Sequence, residues 1–267
     1  MMEIKLPGHF EVKYEDENQK YYSEPYKSQI KKQLLDVSLG YCMYCGKRII
    51  VDGCDFSHVE HSVDKKGNIS QNDEDFLEHC KYNLAVACPK CNLVYKKRID
   101  KISIRNYKGK ICDAECKKEC KDYMEIKKMY QDRNQMYLAP KGYKKGNSYV
   151  SISYDLLNTR FVPSSEISDD PEMSFFANNQ IERFALNEEM YSFCVTEICE
   201  LLIQLIDTGA TNVEYIIHIL KTIHFDNIVG TKFVEYLSKV NQDNKSMSVK
   251  KLKDLCEMIL LLDMVAI

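Results

Sequence analysis

Cys42-Met-Tyr-Cys45-Gly46 and, further along, Cys88-Pro-Lys-Cys91-Asn92 decide how this chain folds. Each pair sets two thiols at the spacing of a tight knuckle, and two knuckles complete a tetrahedral four-sulfur site for Zn2+. Such a site leaves no open coordination position, so its ion builds structure. The turn formers Gly46 and Pro89 suit the knuckles. Twelve cysteines in 267 residues would also fit a disulfide scaffold. However, Met1–Phe10 lacks a charged stretch followed by an apolar one, which favours a cytoplasmic chain that uses thiols for metal. The apolar run at 258–267 is broken by Asp263 and is too short for a bilayer, so no membrane association is expected.

Short extended runs punctuated by turns lie between the knuckles. Arg48–Val51, the turn Asp52-Gly53 and Asp55–Glu60 read as a hairpin. Asp64–Asp75, with Lys65-Lys66-Gly67-Asn68, reads as a loop before Phe76–Tyr82. Helix is expected from Leu93 to about Tyr130, with an interruption at Ser103–Gly109. The same region holds Glu60-His61 and Asn83-Leu84.

The order Cys-x-x-Cys, acid-His, Asn-Leu, Cys-x-x-Cys-Asn over residues 41–98 resembles the zinc-bound form of the HNH, or ββα-metal, endonuclease family. The resemblance implies His61 as the general base, with Glu60 and Asn92 holding one Mg2+ or Mn2+. It also implies that Asn83 holds the loop and orients His61. The chemistry suits these roles: a neutral imidazole accepts a proton from water near pH 7, and a hard cation stabilises a pentavalent phosphate. Three departures stand out. The family usually has Asp where Glu60 stands and often His where Asn92 stands, and its basic residue falls three positions after Asn92 rather than four, at Lys96.

Adjacent strand residues face opposite sides, so Glu60 and His61 can share one phosphate only at a strand end or bulge. His58 shares a strand face with Glu60 and reads as a metal ligand, a substrate contact or an ordinary hydrogen-bonded histidine.

The net charge of −3 conceals an asymmetry. Residues 81–145 carry 18 Lys and Arg against 7 Asp and Glu, and the rest carries 19 against 33. Lys96, Lys97 and Arg98, with Lys101 and Arg105, would present positive charge to a nucleic-acid backbone, DNA first; a solvated helix face is the plainer alternative. Cys112, Cys116 and Cys120 recur every four residues. On one helix they would span about 12 Å, too far for a single ion, and read as core. Cys194, Cys199 and Cys256 read as core too.

The fold class expected is α+β: a ββα-metal HNH core with a four-cysteine zinc site, plus a mainly α-helical C-terminal domain. The expected division is 1–40 (lead-in, with a helix over Lys27–Leu39), 41–140 (nuclease) and 150–267 (partner-binding or regulatory). Lys141–Ser148 is the linker, and Ser164–Pro171 is irregular. Helices are expected at Glu182–Ile206, Val213–His224, Gly230–Val240 and Val249–Leu262.

Gln180–Asn187 resembles a segment of HNH nucleases in bacterial anti-phage defence, Septu-type and some retron-associated, and Tyr149–Pro163 is loosely similar. These nucleases work beside an ABC-type ATPase, which would here be another chain because residues 150–267 contain no nucleotide-binding loop. A reading from a different class is a catalytically silent zinc module that binds nucleic acid or a protein partner.

Overall fold

A triplet as short as Glu3–Lys5 (β1) becomes a strand only through a distant partner, and residues 152–155 supply it. The computed structural model describes residues 2–64, 77–98, 116–188, 193–243 and 247–265. It is an α+β protein with one three-stranded and three two-stranded sheets among the described residues.

Helix α1 (Tyr26–Val37) buries Ile30 and Leu34. The expected hairpin divides between two partners. β2 (Ile50–Val51) and β3 (Cys54–Asp55) pair around Asp52-Gly53, both at positive φ (50° and 77°), as a type I′ turn requires. Asp55 then ends the strand, because its Oδ1 accepts from the Ser57 backbone N–H at 2.8 Å and from the Ser57 hydroxyl. The chain re-enters sheet structure as β4 (His58–His61), which pairs with β5 (Leu84–Ala87) on the far side of the predicted loop. α1 packs on β5, and a turn of π-helix, Cys91–Tyr95, runs on into a 3-10 turn, Lys96–Arg98.

The long helix expected from Leu93 does not persist. Residues 99–115, with Lys101, Arg105, Cys112 and the Ser103–Gly109 interruption, lie outside the described residues, as do residues 65–76 of the predicted loop region. Cys116–Cys120 is irregular, and α2 begins only at Lys121 (Lys121–Asn134). Cys120 is extended there and caps α2, its sulfur accepting from the Tyr123 N–H at 3.4 Å. Cys116 and Cys120 therefore form no helical stripe, although both pack partly buried against the core.

The expected linker folds back on itself: β6 (Lys144–Lys145) pairs with β7 (Ser148–Tyr149), and Lys145 reaches Asp170 at 2.8 Å and Glu172 at 2.6 Å. β8 (Ile152–Asp155) pairs with β1 on one side and β9 (Arg160–Pro163) on the other. The helix expected at Glu182–Ile206 is two helices, α3 (Pro171–Arg183) and α4 (Phe193–Asp207). Pro171 and its cap Asp170 start α3 earlier than expected. After α3 the chain turns at Ala185, at φ 49°, and the Asn187 amide pairs with both backbone groups of Phe161. α5 (Val213–Thr222), α6 (Ile228–Asp243) and α7 (Val249–Val265) follow near their expected places. Cys194, Cys199 and Cys256 are buried, and one core cluster runs from Ile4 through Leu34, Val86 and Phe184 to Phe233 and Ile259.

Candidate metal centre and its neighbourhood

The four knuckle cysteines converge. All four sulfurs of Cys42, Cys45, Cys88 and Cys91 lie within 4.8 Å of one another, and all four residues are buried. Cys45 and Cys88 are 3.8 Å apart. Metal–sulfur bonds of about 2.3 Å in a tetrahedron give sulfur–sulfur edges of about 3.8 Å, so the cluster fits a metal ion such as zinc. Local hydrogen bonds shape each knuckle. Gly46 N–H donates to Cys42 O at 2.9 Å, and Asn92 N–H donates to Cys88 O at 3.1 Å. Met43 N–H donates to Val86 O at 3.1 Å, tying the first knuckle to the strand that leads into the second.

The charges argue the same way. Hydrogen bonds from Cys42, Cys45 and Cys91 hold the Cys88 thiol well below its usual range. Burial, with the neighbouring thiols, pushes Cys91 up, and the hydrogen bonds with Cys42 and Cys88 push Cys45 up. Four thiolates in so small a buried volume repel one another, and a divalent cation is what lets them ionise together.

Glu60 is 3% exposed, with both carboxylate oxygens engaged. Tyr44, between the first two cysteines, donates its hydroxyl to Oε1. Lys96 places its ammonium 2.5 Å from Oε2 and also bonds the carbonyls of His61 at 2.5 Å and Ser62 at 3.1 Å. Burial and the Glu60 charge push the Tyr44 hydroxyl well above its usual range, so it stays a donor. The Asn92 amide donates to His58 Nδ1 at 3.1 Å, and His58 lies on the strand face that Glu60 shares.

The β4–β5 register is continuous from His58 opposite Ala87 to His61 opposite Leu84. Without a bulge, Glu60 and His58 share one face, and Val59 and His61 share the other. His61 Nε2 lies 3.0 Å from Glu78 O, and the ring meets Tyr22 edge-on at 4.4 Å. A ring nitrogen facing a carbonyl carries a proton, so Nε2–H is the donor to Glu78 O. Fully buried Asn83 ties Val63 to Leu77, donating to Val63 O at 3.0 Å and Leu77 O at 2.9 Å and accepting from Val63 N–H at 2.8 Å. Lys97 is exposed on the 3-10 turn that Arg98 ends.

Two residues of this neighbourhood went unread in the sequence: Tyr44, on Glu60, and Asn227, whose amide donates to Cys45 O at 3.0 Å. Neither carries a signal, since aromatics and amides are common in cores and caps. Lys96 was read as a phosphate contact, and its place on buried Glu60 is what the sequence did not tell. No family model, curated protein or solved structure matches the chain. Among the described residues, no helix is long and apolar enough to cross a membrane.

Proposed function

We propose that the chain is an endonuclease of HNH type that hydrolyses phosphodiester bonds of nucleic acid, DNA foremost. The observation that carries the proposal is the order in space. A four-thiol centre brackets an antiparallel strand pair bearing Glu60-His61, and a helical turn bearing Asn92 follows directly. Asn83 ties Val63 to Leu77 close in sequence to His61, whose imidazole is the base for water. Lys97 and Arg98 would meet the phosphate backbone. Zn2+ in the four-thiol centre supplies structure, and Mg2+ or Mn2+ is the hydrolytic cofactor that this type of enzyme uses.

The resemblance to anti-phage nucleases supports a defence role beside an ABC-type ATPase on another chain. The test is incubation of plasmid, single-stranded DNA and RNA with Mg2+ or Mn2+, with and without a co-expressed ATPase of that type. Cleavage of any of them that needs the divalent ion supports the reading.

One observation favours a second reading. The sealing of Glu60 by Lys96 and Tyr44 suits a silent zinc module that only binds nucleic acid or a protein. That module would bind with affinity falling steeply with salt and would cut nothing.

A further inference from the structure

The cation that Glu60 holds in this structure belongs to the chain. The Lys96 ammonium sits among Glu60 Oε2, His61 O and Ser62 O at 2.5, 2.5 and 3.1 Å, and the Lys96 and Glu60 side chains are 8% and 1% exposed. Oxygens from three consecutive residues, one of them a carboxylate, make a donor set of the kind hard divalent cations take at about 2.0–2.6 Å. We propose that Lys96 and a divalent cation compete for this oxygen set, with Lys96 acting as a latch that keeps metal out until it is drawn away. The divalent ion, the hydrolytic site and the nucleic-acid phosphates are taken from the endonuclease reading.

Charge makes the competition exclusive. Once Lys96 leaves, the buried Glu60 carboxylate is uncompensated, and another cation is what restores the balance. The latch also has somewhere to go. Lys96 stands on a short helical turn next to exposed Lys97, and its flexible four-carbon stem can carry the ammonium outward to the same phosphate backbone. A polyanion that holds Lys96 outside therefore favours metal inside, and by linkage the metal favours the polyanion. The latch would keep the hydrolytic site unloaded in the absence of substrate.

Mn2+ binding to the full zinc-loaded chain, followed by electron paramagnetic resonance and by thermal melting, tests the latch. Lys96→Met keeps the stem and removes the charge. It should bind Mn2+ at least roughly tenfold more tightly than wild type and melt at a higher temperature with Mn2+ than without. Adding Glu60→Gln should abolish both gains. A Lys96→Met chain that binds Mn2+ no better than wild type, or that stays unfolded in Mn2+, overturns the latch. Failure of wild type to cut nucleic acid would count against the endonuclease reading and leave this binding result standing.

Discussion

At the scale of single residues, Asn83 and the Glu60 group dominate the region between the knuckles. Asn83 spends its amide on the backbone of Val63 and Leu77, with the Tyr123 hydroxyl also donating to its Oδ1 at 3.4 Å, in a fully buried position. Asn83→Ala strands those buried groups and should cost about 2–4 kcal/mol in urea unfolding. A loss below about 0.5 kcal/mol, within the range of ordinary surface substitutions, would mean that the clamp holds nothing. Tyr44→Phe removes one hydrogen bond to a buried carboxylate and should cost about 1.5–3 kcal/mol, measured in the same way. The side chains whose roles were read from position alone, Glu60 and His61, prove to point to opposite faces of one strand. Alternation along a strand foretells this, but it does not tell which face meets the metal knuckles.

Among the elements, the contact between the first knuckle and the start of α6 is the one to test. Asn227 donates to Cys45 O at 3.0 Å and accepts from Val229 N–H at 3.0 Å, while Ile228 N–H donates to Gly46 O at 2.9 Å. Gly46 is at φ +70°, and a Cβ there would fall 2.6 Å from Ile228 Cγ2. Gly46→Ala should lower stability by more than the roughly 1 kcal/mol of a left-handed residue alone, because it also pushes α6 off the knuckle. Asn227→Ala should cost about 1–2 kcal/mol. Unfolding midpoints with zinc content held constant check both.

The knuckles and the type I′ turn were legible because thiol spacing and Asp-Gly dipeptides act locally. The α5–α7 helices were legible from their apolar period. The pairing of β4 with β5 across the loop and of β1 with β8 across most of the chain was not, because neither local pattern names its partner. The break after Asp55 had a readable cause in Asp55-Phe-Ser57, where a side chain takes the strand's hydrogen bonds.

In the whole molecule, the four-cysteine cluster and the C-terminal helices pack together around the knuckle, through Tyr41, Arg48 and Asn227. Stripping metal with a chelator should therefore loosen α6 as well as the knuckles, seen as lost near-ultraviolet dichroism and increased hydrogen exchange over residues 228–243. Exchange confined to the knuckles would argue against that coupling. The central claim concerns catalysis, and one comparison bears on it most directly. Wild type and His61→Ala, both assayed for bound zinc, are incubated with supercoiled plasmid and Mg2+ or Mn2+. The account predicts that wild type nicks or cuts the plasmid, whereas His61→Ala retains its zinc and leaves the plasmid intact. Equal cleavage by the two proteins, or no cleavage by wild type under either metal, would contradict it.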